Sequence, residues 1–396
     1  SSREKDLPNA PYSTVFGVPG TRTLDQHALF QLAYDGQLTQ GWQQQFRVFN
    51  GRYRYNGDYK YPDALDNRDQ GRAIWSGVDY RLIVTALPQH KLLLGMEGQW
   101  NTELRQVNFD VAPAVSYLDS NHPSHAFSLV AQDEWRLHAQ WLLSAGVRYD
   151  KHQDFAAIAS PRAALIYQPD SSVAFKAMAS SAYRPPNAYE RYYEDGGVIQ
   201  KANPALLPER MRSIELAADF RVGQAARMGV SVFRNAMRNM IDQVQDPADG
   251  LYFFSNRSEV RTHGVEVDAE KRWAGGQRLR GSLSWQRSRL ADGVELVNSP
   301  SWLAKAVWAV PLGAGWTASG DWQAVSARNT VIGRVPGYSA LGLALSSPRL
   351  AGLGELSLGI YNLGNRRYAD PASSAFVSDA LVQDGRQLRL RWSMSL

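Results

Sequence analysis

The fold is decided by the stretch from Ser160 to Arg221, which begins Ser160-Pro161-Arg162-Ala163-Ala164-Leu165-Ile166-Tyr167. The tight turn Pro169-Asp170-Ser171-Ser172 follows this run. Further on, a strand puts its apolar residues on one face: Ile214, Leu216, Ala218 and Phe220. The intervening residues form the other face: Glu215, Ala217, Asp219 and Arg221. Alternation with a period of two predicts a sheet with one apolar and one wet face.

The two ends of these hairpins differ. One end is a tight turn, whereas the other is the long aromatic segment Tyr183-Arg184-Pro185-Pro186-Asn187-Ala188-Tyr189-Glu190-Arg191-Tyr192-Tyr193. The asymmetry recurs along the chain, with eight tight turns and about 17 strands. The first strand begins near Ala28 after a loop over residues 1–23. The last alternates Leu388, Leu390, Trp392, Met394 and Leu396 with Arg389, Arg391, Ser393 and Ser395.

Composition narrows the class of protein. The chain has 396 residues, 44% hydrophobic and 20% charged, and no run approaches the 18 apolar residues of a membrane-spanning helix. A membrane barrel is still allowed, because its signal per segment is weaker. Cysteine is absent, which removes disulfides, thiolate zinc sites and a Cys nucleophile. Only eight of the 43 basic residues are Lys, and the Arg are spread along strands, so no nucleic acid is expected.

Three observations favour a membrane barrel over a soluble all-β protein such as a propeller. The face opposite the apolar one is rich in ionisable residues. Five Trp lie within a few residues of tight turns, as an aromatic girdle requires: Trp42, Trp135, Trp141, Trp273 and Trp316. Short turns alternate with long loops, which is typical of outer-membrane barrels, and each unit carries two strands instead of a blade's four.

The strand count also bears on completeness. The first and last strands both run toward the tight turns, and two strands of the same direction cannot close a sheet in antiparallel fashion. Either a strand near the N-terminus is unrecognised or N-terminal strands are missing. We expect the second.

Several motifs resemble those of TonB-dependent outer-membrane receptors. They are Ser160 to Tyr167, Ala182 to Glu190, Asn203-Pro204 with Leu207-Pro208-Glu209, Gly264 to Val267, Asn298-Ser299-Pro300 and Tyr361 to Tyr368. Their order and spacing extend the resemblance over roughly residues 20–396. The family implies a 22-stranded barrel with short periplasmic turns and long extracellular loops, filled by an N-terminal plug. It also implies energised uptake of a scarce large ligand, usually a ferric siderophore or cobalamin, through TonB.

The chain departs from this family pattern in three ways. The 396 residues contain no segment that resembles a plug or a TonB-interacting segment, 17 strands against 22 lead us to expect that about five are missing, and Leu396 stands where the resemblance leads us to expect a C-terminal Phe. We therefore interpret residues 1–396 as one N-terminally incomplete receptor barrel in the bacterial outer membrane, in contact with its lipid. TonB would act through the missing plug region. Alone, the chain is not expected to transport.

The best candidate ligand surface is the long aromatic segment with a second aromatic wall. Rings bury area while keeping a polar handle, and Arg supplies planar donors for anionic oxygens. The substrate-binding candidates are Tyr183, Arg184, Tyr189, Arg191, Tyr192, Tyr193, Tyr252 and Phe253, with Phe254 beside them. Tyr183 and Arg184 could instead end a strand at the aromatic girdle. The mixture favours a large anionic chelate, most simply a ferric siderophore. Cobalamin, a saccharide or a passive porin are the alternatives.

No resident cofactor, metal site or enzymatic activity is expected. His122 and His125 have no third ligand nearby and are interpreted as solvated loop residues. Asp63, Asp66 and Asp69 lack the glycine and terminal Glu of an EF-hand loop, so we interpret them as a polar loop. No nucleophile elbow or local catalytic triad is present.

Overall fold

The computed structural model describes residues 1–7, 17–61, 65–257, 259–349 and 354–394. Strands and one short helix make up its regular structure in these ranges. The elements in chain order are β1 (Ser2–Asp6), β2 (Arg22–Thr39), β3 (Trp42–Lys60), β4 (Asp66–Val84), β5 (His90–Asp110), β6 (Val115–Asn121), β7 (Ser124–His138), β8 (Trp141–His152), β9 (Ile158–Tyr167), β10 (Val173–Arg184), α1 (Ala188–Tyr192), β11 (Glu209–Val222), β12 (Ala226–Arg238), β13 (Ile241–Gln245), β14 (Tyr252–Asn256), β15 (Val260–Arg272), β16 (Arg278–Leu290), β17 (Trp302–Gly313), β18 (Trp316–Val325), β19 (Arg328–Asn329), β20 (Arg334–Val335), β21 (Tyr338–Ser346), β22 (Glu355–Tyr361), β23 (Ala369–Pro371), β24 (Ala380–Val382) and β25 (Gln387–Ser393).

A single antiparallel sheet contains 19 of the strands, as the alternating pattern predicts. Seventeen of them follow one another as neighbours: β2, β3, β4, β5, β7, β8, β9, β10, β11, β12, β15, β16, β17, β18, β21, β22 and β25. Of the other two, β1 pairs with β2 and β6 pairs with β5. The remaining strands form three separate two-stranded hairpins, β13–β14, β19–β20 and β23–β24.

The sheet is not closed in the described residues. β1 pairs only with the outer end of β2, where Ser2 faces Gln26 and Asp6 faces Arg22. β25 pairs with β22 on one side only. Because β2 and β25 both run toward the short connections, they cannot pair antiparallel with each other. The parity argument therefore applies to the 17 long neighbours, and these have two open edges. β1 is a strand near the N-terminus that the sequence analysis did not recognise, and it covers only the outer end of the β2 edge.

The predicted loop over residues 1–23 is partly wrong, because residues 2–6 form β1. All five of its side chains are exposed, so no apolar face marks it as a strand. Pro8 and Pro11 lie outside the described residues.

Short connections gather at one end of the sheet and longer ones at the other, as expected. The short connections span residues 40–41, 85–89, 139–140, 168–172, 223–225, 273–277, 314–315 and 347–354. The opposite end, called the outer end here, carries connections of up to 25 residues, over 362–386. The five girdle Trp lie at the short end, where Trp141 stacks on Tyr167 with ring centroids 4.4 Å apart.

Several strands extend further outward than predicted. The polar segment 56–62 was expected to be a loop, but residues 56–60 belong to β3, and β4 and β5 are 19 and 21 residues long. A bilayer needs only about nine to eleven tilted residues. The outer halves of these strands carry polar residues on both faces, so alternation could not reveal them.

Charged residues on the polar face form ion pairs both within a strand and between strands. Asp79 accepts from Arg47 at 3.2 Å and from Arg81 at 3.0 Å. Arg148 contacts Glu97 at 2.6 Å and Asp150 at 2.8 Å. This face is the lumen, and the apolar residues between these positions point outward. Within the described ranges, no helix has the length and apolar character that a membrane crossing requires.

Candidate functional site

The predicted aromatic segment is partly helical. Asn187 caps α1: its side chain accepts from the Glu190 amide at 2.9 Å, and the Glu190 carboxylate accepts from the Asn187 amide at 2.8 Å. This reciprocal capping box satisfies donors that a helix start leaves unpaired. Five residues are too few for a helical period, so the segment was predicted as an irregular loop.

Arg184 holds this helix onto the barrel. Its guanidinium contacts Glu190 at 2.9 Å and Glu209, at the start of β11, at 2.6 Å. Two carboxylates thus occupy the donors that were expected to face a ligand. Arg184 links the end of β10, the first turn of α1 and β11.

Arg191 is similarly engaged and is largely buried. It contacts Asp154 at 2.6 Å, donates to the Pro204 carbonyl at 3.0 Å, and lies 5.0 Å from the Phe155 ring centroid. Only 12% of its side chain is exposed. Arg191 therefore anchors α1 to the connection between β8 and β9.

Tyr192 points toward the outer end of β7. Its ring stacks on the His122 imidazole, with centroids 3.6 Å apart and planes 12° apart. Burial, helped by the positive charge of Arg191, lowers the pKa of His122, while Asp154 acts in the opposite direction. His122 lies in the connection between β6 and β7, but His125 belongs to β7, contrary to its assignment to a loop.

Tyr189 and Tyr193 form the inner side of the segment. Tyr189 packs on Tyr193 at 4.6 Å and on Phe254 at 5.8 Å. The buried hydroxyl of Tyr193 accepts from Asn108 at 2.9 Å. These rings form an interior contact between the segment and the hairpin of β13 and β14.

Asp69 lies beside this contact. It is 15 residues from the short end of β4, beyond the stretch that a bilayer covers. Burial raises the pKa of Asp69 to about 7, with the Asp195 carboxylate adding to the rise and hydrogen bonds from Tyr193 and Asn108 opposing it.

A cavity of about 550 Å³ opens between α1 and the lumen wall. Tyr183, Arg191 and Tyr192 line it together with Arg148 and His152. Acidic residues also line it: Asp79, Glu97, Asp150 and Asp154. Its walls therefore combine aromatic rings with charges of both signs, in the volume range of small-molecule sites.

Tyr252 and Phe253 lie apart from this cavity. They line a second one, of about 630 Å³, together with Ile332 and Val377 from other outer connections. The Tyr252 hydroxyl donates to the Ser374 carbonyl at 3.0 Å, and the Lys201 ammonium lies 5.2 Å from the Phe253 ring centroid. Tyr183, Arg191 and Tyr192 therefore line one cavity, and Tyr252 and Phe253 line the other. Tyr189 and Tyr193 pack between α1 and the hairpin of β13 and β14, and Arg184 links α1 to β11.

Sequence reasoning missed the residues that dock these connections. Asn108 and Asp154 come from distant parts of the chain, so spacing could not reveal them. His122, interpreted from the sequence as a solvated loop residue, instead stacks on Tyr192. Arg328 was also missed: 8% exposed, it contacts Asp370 at 2.7 Å and Asn298 at 3.1 Å. The one available signal was the Asn187–Glu190 spacing of the capping box.

No group of three metal-ligating side chains occurs among the described residues. Asp63, the first of the three spaced aspartates, lies outside them. Asp66, the first residue of β4, forms an ion pair with Lys60, the last residue of β3. Asp69 faces Tyr193 and Asn108, so these two aspartates do not converge on one site.

This geometry defines a class: an outer-membrane β-barrel whose long connections fold over its lumen. The family described as TonB dependent receptor-like, beta-barrel, matches residues 3–363. The chain belongs to the TonB-dependent receptor family, whose members are receptors and transporters of the bacterial outer membrane.

Curated relatives match only parts of the chain. The iron-regulated outer membrane virulence protein of Vibrio cholerae is 24% identical over 207 residues, 51% of this chain and 31% of that protein. The vitamin B12 transporter BtuB of Vibrio cholerae is 32% identical over 145 residues, 37% and 22% of the two chains. The metal-pseudopaline receptor CntO of Pseudomonas aeruginosa is 24% identical over 403 residues, 87% and 52%.

Solved structures share the fold. The copper transporter OprC has a TM-score of 0.78 at 15% identity, over 93% of this chain and 65% of that one. The unliganded ferric citrate transporter FecA also gives 0.78 at 15% identity, over 98% and 65%. The chain thus spans at most about half of these curated relatives and two thirds of these solved chains.

Proposed function

We propose that this chain is the barrel of a receptor that takes up a large iron chelate, a ferric siderophore, with energy delivered through TonB. The observation that carries the proposal is the cavity beneath α1. It is roofed by Tyr192 and Arg191 and opens to the lumen, where a captured ligand would meet a plug domain. The similarity to the iron-regulated outer membrane virulence protein of Vibrio cholerae supports iron as the cargo.

The charges of the cavity refine the ligand class. Arg148 and Arg191 each face carboxylates, so a ligand would compete with existing ion pairs for them. The side chains left to contact a ligand are the aromatic rings of Tyr183 and Tyr192 and the imidazoles of His122 and His152. These imidazoles are neutral hydrogen-bond donors or acceptors near pH 7. A bulky chelate with aromatic groups and few net charges suits this lining better than a small trianion.

TonB is proposed as the partner through a plug region that would fill the lumen. The paired charges on the lumen wall offer hydrogen-bonding sites for such a domain, as Arg81 and Glu97 illustrate.

The test uses the complete receptor with its plug. Binding of ferric catecholate, hydroxamate and hydroxycarboxylate chelates is measured by tryptophan fluorescence, and uptake of radioactive iron is measured in cells with and without TonB. We expect saturable binding of one chelate class and TonB-dependent uptake. Failure of every ferric chelate to bind a folded receptor would reject iron as the cargo.

Cobalamin is the second candidate, because the transporter named for vitamin B12 is 32% identical over 145 residues. Cyanocobalamin is therefore included in the same assay. Saturable binding of cyanocobalamin with no chelate bound would replace the first proposal by the second.

A further inference from the structure

Basic side chains gather on the outward face of β11, β12, β15 and β16, the face opposite the lumen. The register places Ile214, Arg234, His263 and Arg287 in one row across the four strands. The next row, one step closer to the outer end of the sheet, contains Arg212, Ala236, Arg261 and Arg289. Arg210 faces Arg238 in a third row. We call the seven arginines and His263 the basic band.

The row directly below the basic band is apolar. Leu216 faces Val232, which faces Val265, which faces Trp285. Trp285 lies beside Trp302 of β17, with ring centroids 6.3 Å apart. From Ile214 to Val222, at the short turn, the outward face of β11 carries no ionisable residue. These nine residues match the length of a tilted strand that crosses a bilayer.

The band therefore begins where the hydrocarbon ends. An aromatic pair at this level marks a membrane interface. The outward face above it is at the depth of the lipid headgroups, and its arginines point away from the lumen, where Glu215, Asp219, Glu266 and Asp268 lie. A ligand inside the barrel cannot reach them.

The positive charge of the band is only partly neutralised. Glu259 contacts Arg238 at 3.1 Å and Arg261 at 2.6 Å. Glu295 lies 3.3 Å from Arg289 and 3.6 Å from Arg287. Within the described part of the chain, no carboxylate lies within ion-pair distance of Arg210, Arg212 or Arg234. Seven arginines against two glutamates leave an excess of five positive charges.

We propose that the basic band binds the phosphate groups of the phosphorylated glycolipid of the outer leaflet, with its acyl chains against the apolar row below. Guanidinium groups form two parallel hydrogen bonds with a phosphate. Neighbouring rows of a strand are about 7 Å apart and facing residues about 5 Å apart, so adjacent arginines can share one headgroup. The site is independent of the cargo proposed above.

The test measures lipopolysaccharide retained by the full-length receptor after purification from outer membranes, by assay of its 3-hydroxy fatty acids. The variant Arg212→Gln with Arg234→Gln removes two band charges that have no ion-pair partner. The control, Arg221→Gln with Arg280→Gln, removes two lumen-facing charges from β11 and β16. Heat-modifiability on a gel reports folding of each protein.

We expect the band variant to retain about tenfold less lipopolysaccharide than the wild type, since two phosphate contacts are lost, and the control to match the wild type. Arg212→Lys with Arg234→Lys should retain an intermediate amount. In a second arm, delipidated wild-type receptor is given intact or dephosphorylated lipopolysaccharide, with inorganic phosphate as competitor. The intact form should bind better, and free phosphate should not displace it.

Equal retention by the band variant and the control would overturn the proposal. Equal binding of dephosphorylated lipopolysaccharide by the wild type would do the same, and needs no variant to fold. Displacement by inorganic phosphate alone would assign the band to free phosphate instead. Loss of a co-purifying protein from the band variant, with lipopolysaccharide unchanged, would assign the band to a protein partner.

Discussion

The ring of Tyr192 lies parallel to the imidazole of His122, 3.6 Å away, and joins α1 to the connection between β6 and β7. The two residues are 70 positions apart in the chain. This stack holds the roof of the lumen cavity against the barrel wall.

The stack should make docking of the 185–208 connection depend on pH. Burial lowers the pKa of His122 below its usual 6.5, so the undocked state binds more protons as the medium is acidified. Docking stability is therefore complete above about pH 6.5 and decreases as the pH falls through the lowered pKa. The hydrogen-exchange protection factors of residues 185–208, which correct for the intrinsic exchange rate at each pH, should be lower at pH 5 than at pH 7.5.

The variant His122→Phe keeps a stacking ring but cannot titrate. It should show a smaller pH effect than the wild type, with His152 and Asp154 left in place. An unchanged pH dependence in this variant would exclude His122 as the titrating group.

Asp69 should give stability the opposite pH dependence, with a loss as the pH rises. Its pKa is raised to about 7, above the value near 4 of an unfolded aspartate, so the folded state binds the extra proton. Stability from this group is complete below about pH 4 and is lost as the pH rises through 7. Asp69→Asn, which resembles the protonated acid, should protect Tyr193 from exchange better than the wild type at pH 8. At pH 4 the two proteins should be equal, and a difference there would reject the assignment.

The variant Arg191→Ala with Tyr192→Ala should weaken ligand binding at least tenfold, about 1.4 kcal/mol, in the complete receptor. Both side chains line the lumen cavity, and both dock α1, so affinity falls through lost contacts and through a loosened roof. Fluorescence titration measures the affinity, and the folded amount should not fall. A matched control is Arg257→Ala, which removes an exposed ion pair with Asp242 on the second wall.

Unchanged affinity in the double variant would show that the ligand does not bind in this cavity. The second cavity, lined by Tyr252 and Phe253, would then be the next candidate.

The last strand predicts a labelling pattern. Leu388, Leu390, Trp392 and Met394 are 49–73% exposed and should face lipid, whereas Arg389 and Arg391 should face the lumen. An Arg that faces lipid at mid-membrane would cost about 2–4 kcal/mol. A lipid-soluble probe on single Cys variants should label positions 388 and 390 more strongly than 389 and 391. The reverse order would refute the assignment. Leu396, which the same pattern places toward lipid, lies outside the described residues.

The open edges predict how these 396 residues behave alone. One side of β2 over residues 28–39 and one side of β25 have no backbone partner within the described ranges. Unpaired backbone groups in hydrocarbon cost several kcal/mol each. The chain by itself should not form a compact, heat-modifiable monomer in detergent or lipid. Such a monomer on a gel would show that the sheet closes.

The membrane-spanning part of the fold was predictable because the bilayer imposes a pattern on the sequence. One face of each strand must be apolar, and β11 and β25 show this without exception over the lengths that cross. Where the strands leave the bilayer, both faces carry polar residues and the pattern ends. The outer half of β4 and all of β1 were missed for this reason.

The candidate site was predictable in composition but not in arrangement. The aromatic and arginine content of residues 183–193 indicated a special segment. Whether Arg184 and Arg191 face a ligand or a carboxylate depends on Glu209 and Asp154, and only the fold determines where those residues lie. The basic band shows the same limit: its residues come from four strands and form a group only once the register aligns them.

The two open edges carry a constraint on any molecule that could complete the ring. β2 and β25 descend in the same direction, so an antiparallel seal needs an insert whose first and last crossings both ascend, and hence an odd number of crossings. In a second copy of this chain in the same membrane, the first and last of the 17 long strands, β2 and β25, both descend, so these strands cannot fill the gap in that way. Reconstitution from separate polypeptides should therefore succeed with complementing pieces of three or five crossings and fail with two or four, which makes this sheet an acceptor that selects added strands by their number.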